Sequence, residues 1–153
     1  MLDSLRSFMS ELTGADAGGH FAATDHRVAA AALLVHLIQI DGVAEPHERE
    51  ALRAVLKARF GLGDAETEEL IELARRRDED AVDLYAFTSV LKRALDGEGR
   101  AAVVEMMWEI VFADGAVHEL EDNVVWRAAE LLGVSSRERV ELKRRVAARV
   151  RGG

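Results

Sequence analysis

One design is written twice in this chain, 73 residues apart, and that duplication limits the fold more than any other feature. The first copy runs Ile40-Asp41-Gly42-Val43-Ala44-Glu45-Pro46-His47-Glu48. The second runs Ala113-Asp114-Gly115-Ala116-Val117-His118-Glu119-Leu120-Glu121. Each reads Asp-Gly, five residues, then Glu. Each follows a long apolar segment and opens a charged one. With Asp41 set on Asp114, Ala31–Ile40 falls on Val104–Ala113, Glu48 on Glu121 and Leu52 on Val125. One deletion later, Gly61-Leu62 falls on Gly133-Val134 and Glu66 on Glu138. Chance readily gives two Asp-Gly pairs; it does not readily give this whole order twice.

The apolar segments decide what the copies fold into. From Val28 to Ile40 only His36 and Gln39 are polar, and from Ala101 to Ala113 only Glu105 and Glu109 are. A helix that is apolar nearly all round belongs at the centre of a bundle. Neither segment can cover its circumference alone, so the two are expected to pair. The fold class expected is all-α: a helical bundle of two helical modules related by a pseudo-twofold axis. Glu105 and Glu109 lie four apart on one helix face. They read as a polar stripe reaching solvent or arginine partners; the other reading joins them to His36 as a metal site in the core.

Capping and breaking residues mark the ends of the elements. Asp25 is placed to cap a helix running to about Ile40. Pro46 suits the first turn of a helix reaching about Arg59, and Asp64 is read as the cap of the next. A helix over Val82–Leu95, with Leu84, Phe87, Val90, Leu91 and Ala94 inward, joins the modules, and Asp96-Gly97-Glu98-Gly99 ends it. Another spans Glu119 to Leu132 and stops at Gly133. Ser135 with Glu138 forms a capping box that opens the last helix, to about Val150. No segment alternates at period two, so no strand is placed. Upstream, Leu2, Leu5, Phe8, Met9 and Leu12 recur at helical spacing, and Gly14 to Gly19 reads as a joint. Residues 1–24 are therefore expected to form an N-terminal amphipathic helix and Gly-rich joint, and residues 25–151 the helical domain.

Composition narrows the function classes. Hydrophobic residues at 49% and charged residues at 31% point to a soluble globular chain. A formal charge of −8 disfavours nucleic acid, whose phosphates need cationic contacts. Without cysteine there is no disulfide, thiolate metal site or cysteine nucleophile. No signal peptide is visible, and the longest apolar run is too short to span a bilayer. A cytoplasmic location is expected. Ser135 and Ser136 read as capping residues, and no phosphate-binding glycine loop is present. Catalysis is not expected.

Asp-Gly-x5-Glu is also the second half of an EF-hand calcium loop. The first and third loop positions, which should carry oxygen ligands, are Leu37 and Gln39 in one copy and Ile110 and Phe112 in the other. A full EF-hand is therefore not expected. Two readings stay open. In one, Asp41 and Asp114 accept backbone N–H bonds in their turns, while Glu48 and Glu121 favour the positive start of the next helix. In the other, the two loops pool their oxygens around one cation. Glu45, His118, Glu119 and Asp122 would then be second-rank ligands. Oxygen ligation suits calcium or magnesium, and His118 tilts the choice toward a transition metal.

The same residues carry a family likeness. An apolar helix ending in Ile40-Asp41-Gly42 and again in Ala113-Asp114-Gly115, a Glu seven residues after each Asp, and the later breaks at Gly61-Leu62 and Gly133-Val134 resemble the tellurite-resistance TerB-like family. The resemblance covers about residues 26–150. It implies an all-helical fold of seven or so helices in two pseudo-symmetric halves. It implies links to tellurite and stress resistance and to membrane partners of the TerC type. It points to Asp41, Glu48, Asp114 and Glu121 as metal ligands. The expectation is a non-catalytic module that binds a divalent cation, calcium or another, in tellurite or stress-response assemblies. It would have a protein partner, no nucleic acid and no transmembrane segment of its own, and would work in the cytoplasm or peripheral to the inner membrane. The alternative is a metal-independent interaction scaffold presenting an acidic surface.

Overall fold

The computed structural model describes residues 21, 25–40, 46–81, 83–114 and 119–152. The expected helix at 2–12 and the glycine-rich joint lie outside them. Among the described residues there are seven α-helices and no strand. They are α1 (His26–Ile38), α2 (Pro46–Phe60), α3 (Asp64–Asp80), α4 (Tyr85–Ala94), α5 (Gly97–Val111), α6 (Glu119–Leu132) and α7 (Ser136–Gly152). A 3-10 turn, Phe112–Asp114, follows α5.

Asp25 starts α1 as its sequence position requires. Its Oδ1 accepts the Arg27 backbone N–H at 2.8 Å, and the carboxylate takes the Arg27 guanidinium at 2.7 Å. The same guanidinium lies 4.6 Å over the ring of Phe21, which is buried against the core. Nearly all of α1 is buried, with His36 the polar exception within its apolar run. Its alanines at 29–32 let neighbouring backbones come close, and its most extensive contact is with α3. Correspondingly, α5 packs most extensively against α7. The two apolar helices do touch, but each leans mainly on the third helix of its own half. The exchange between halves is reciprocal: α2 reaches across to α5, and α6 reaches across to α1. Helix α4 bridges α1 and α6.

The duplication is visible in burial. Leu52 and Val125, Leu56 and Ala129, Leu70 and Leu142, and Ala74 and Val146 are matched pairs, and all are buried. The breaks match as well. Gly61 and Gly133 take φ of +62° and +79°, the left-handed region that ends a helix and that glycine enters without a Cβ clash.

Three element ends differ from expectation, each for a local reason. Helix α4 begins at Tyr85, because the Asp83 carboxylate accepts the Tyr85 N–H at 2.9 Å. Ala94 is exposed, while Thr88 joins Phe87 and Leu91 inside. Asp96 does not belong to a terminating run: its side chain accepts the Gly99 N–H at 2.8 Å and starts α5 at Gly97. Helix α3 is capped by Gly63, whose N–H is held by Glu66 at 3.1 Å. Asp64 lies in the first turn and pairs with Lys57. The Ser135 cap holds as expected, with its Oγ 3.1 Å from the Glu138 N–H.

Candidate functional site

The positions singled out by the duplication divide into two groups. Asp41, Glu45 and His118 lie outside the described residues. Asp114 ends the 3-10 turn, where its backbone alone is described. Glu48 and Glu121 lie in the first turns of α2 and α6, at 7% and 5% exposure. The helix period explains this burial. Leu52 and Leu56 follow Glu48 at four and eight residues, Val125 and Ala129 follow Glu121 likewise, and all four are buried. The acid therefore sits on the apolar face at the helix start. A carboxylate taken from water needs compensation, and each of these has hydrogen-bonding or electrostatic contact. Glu119, the next candidate, is exposed at the first residue of α6. Among the described residues no three His, Asp or Glu side chains gather as a metal site.

The second half carries a cation of its own. Lys143 on α7 places its ammonium 2.9 Å from Asp122 Oδ1 and 5.0 Å from the centre of the Trp108 ring. Trp108 is fully buried and lies 6.1 Å from Phe112 of the 3-10 turn. Its indole Nε1 finds no acceptor among the described residues. At the matching places in the first half stand Arg49, Val35 and Ile71, so this arrangement is not duplicated.

The stripe on α5 finds arginine partners. Arg59 donates to Glu105 at 2.9 Å and to Glu109 at 2.7 Å. Arg149 and Arg145 approach the other Glu105 oxygen at 3.2 and 3.8 Å. Burial works against the charge of Arg59, but its hydrogen bonds to Glu109 and Glu105 raise its pKa above the ordinary guanidinium value. His36 does not join this stripe. Its Nδ1 is 3.0 Å from Asp78 Oδ1 on α3. The reading of His36, Glu105 and Glu109 as one core metal site is thereby corrected.

The family model described as Tellurite resistance protein TerB matches residues 27–144. The chain belongs to the TerB family. The matched span is most of the chain and falls within the domain expected at 25–151. It takes in both Asp-Gly sequence motifs, the helices on either side of them in the chain, and α7 as far as Arg144. This TerB domain is thus a tellurite-resistance-related domain, all-helical among its described residues. No curated protein and no solved structure matches the chain.

One feature of this TerB domain was not found in its sequence. A cleft of about 360 Å³ opens where the ends of α1 and α3 meet the start of α4. His36 and Asp78 line it together. The only sequence signal was His36, a lone polar residue late in an apolar helix. Asp78 sits in the run Arg75-Arg76-Arg77-Asp78-Glu79-Asp80, which reads as a solvated charge run.

Proposed function

We propose that the chain is a non-catalytic TerB module that takes up a divalent cation at its acidic loops. The observation that carries this is the paired burial of Glu48 and Glu121 at the same place in two successive copies. A buried carboxylate with further acidic residues close by in the sequence is a natural ligand for a hard cation. In this reading Glu48 acts with Asp41 and Glu121 with Asp114, and the remaining oxygens come from the loops. Glu45, His118 and Glu119 stay second-rank. The module would serve tellurite or stress-response assemblies in the cytoplasm, with a protein partner that includes a membrane protein of the TerC type. No described helix is long and apolar enough to cross a membrane.

The test is calorimetric titration of chelator-treated protein with calcium and with magnesium. The proposal expects saturable binding that Glu48→Gln with Glu121→Gln removes. Equal heats from wild type and double variant would sink it. A second reading, a metal-independent scaffold with an acidic surface, is favoured by Lys143, which already supplies a positive charge to Asp122. Under that reading titration of the wild type gives no binding heat.

A further inference from the structure

The cleft beside the end of α1 lies apart from both duplicated glutamates. Its walls come from three elements: His36, Gln39 and Ile40 from the end of α1, Asp78 and Ala81 from the end of α3, and Asp83 and Phe87 from the start of α4. At about 360 Å³ it is near the lower end of the range for ligand pockets, which begins at roughly 300 Å³. That suits one long side chain better than a large cofactor.

Its charged groups are carboxylates, which accept. A carboxylate only accepts, so His36 donates from Nδ1 to Asp78 Oδ1 at 3.0 Å. Asp78 has Oδ2 left over. Asp83 spends Oδ1 on the Tyr85 N–H at 2.9 Å and likewise keeps Oδ2. Gln39 adds an amide oxygen. The cleft therefore holds two carboxylates and an imidazole over apolar surface from Ile40, Ala81 and Phe87. What complements it is a cation with several donors on an apolar stem. A planar guanidinium supplies five N–H donors and is weakly hydrated, whereas an ammonium is a compact and strongly hydrated charge.

The chain solves a like problem internally. Glu109, which matches His36 in the second half, takes the chain's own Arg59 at 2.7 Å, with Glu105 beside it. The first-half cleft is lined with carboxylates, and among its described lining residues none is a cation of the Arg or Lys type. Next to Asp83 in α4, Tyr85 is 65% exposed, an aromatic of the kind that anchors protein interfaces.

We propose that this cleft is the receptor for an arginine side chain presented by a protein partner. The probe is a blocked Gly-Arg-Gly tripeptide, titrated into the full-length, isotopically labelled chain in the presence of chelator and followed by amide NMR shifts. The inference expects saturable shifts centred on Gln39, Ala81 and Phe87. It expects the neutral isostere, with citrulline for arginine, to bind more weakly by roughly tenfold or more because its hydrogen bonds lose the charge, and the lysine tripeptide to bind more weakly by a similar factor because it lacks the planar set of donors and is more strongly hydrated. Asp78→Asn with Asp83→Asn should weaken binding by a similar factor. Glu130→Gln with Glu141→Gln, which removes the same charge elsewhere, should not. Ala81→Phe should block the cleft while leaving its charges in place, so it separates lost binding from lost fold. Shifts spread over the acidic surface, equal binding of the lysine or citrulline peptide, or full binding by the Ala81→Phe chain would overturn the assignment. So would the absence of any shift at the cleft. Because chelator is present throughout, failure here leaves the cation reading of the loops untouched.

Discussion

Glu48 and Glu121 occupy matching positions, each in the first turn of its helix and seven residues after the Asp of an Asp-Gly pair, and each is more than nine-tenths buried. Their burial is a consequence of register. Each begins an i, i+4, i+8 row whose later members, Leu52 and Leu56 or Val125 and Ala129, are core residues. The charged start of each helix is thus carried inward by the same face that anchors it.

The central helices should not tolerate charge. Leu34 on α1 and Val111 on α5 are fully buried. An unpaired carboxylate there costs several kcal/mol, against a total stability of about 5–15 kcal/mol. Leu34→Asp or Val111→Asp should abolish the cooperative melting transition followed by circular dichroism. A sharp transition near the wild-type temperature would contradict the placement of these helices.

Arg59 should matter more than an arginine paired only within its own helix. It ties α2 to Glu105 and Glu109 on α5, across the two halves. Arg59→Met leaves those carboxylates under-compensated and should cost about 1–3 kcal/mol in urea unfolding. Arg75→Met removes an exposed pairing with Glu72 within α3 and should change stability by less than about 0.5 kcal/mol. Equal effects would mean that the link between halves adds nothing.

The α1 cap gives a pH dependence with a defined sign. Burial pushes the Asp25 carboxyl up, but hydrogen bonds from the Arg27 side chain and backbone, with its charge, outweigh this and hold the pKa below the usual value. A lowered folded pKa adds stability that is fully present above the unfolded value, about 3.9 for Asp. That stability is lost as pH falls through the folded value. Asp25→Asn keeps a capping oxygen but lacks this titration. Wild type should exceed the variant in urea unfolding at neutral pH, with the gap narrowing once pH falls below the unfolded value of about 3.9. A gap that stays constant would show that the charge of Asp25 is not what stabilises the cap.

Much of this could be read from residue order because the strongest signals were local or repeated. The two apolar runs forced helices, Gly61 and Gly133 marked their breaks, and Asp25 and Ser135 their starts. The misread ends, at Asp96 and Asp83, turn on which neighbouring N–H a short carboxylate accepts, and an aspartate serves equally well after a helix or before one. Which helices pack most closely was not legible either. The alanines of α1 permit close approach but do not name the partner, and that partner is α3. The cleft stayed hidden because His36 and Asp78 are 42 residues apart and meet only through the packing of α1 on α3. Lys143 was hidden for the same reason: its helix reads as a basic tail, and only the crossing of α7 over α5 brings it to Trp108.

The claim that the acidic loops hold a divalent cation is tested most directly by the melting temperature of chelator-treated protein with and without calcium. At a hundredfold excess over its dissociation constant, a bound ion adds about 2.7 kcal/mol, which for a chain of this size raises melting by roughly 5–10 °C. The account predicts that rise in the wild type and its loss in Asp41→Asn with Asp114→Asn. A wild-type curve that divalent ions leave unmoved, with a double variant that melts earlier, would contradict it.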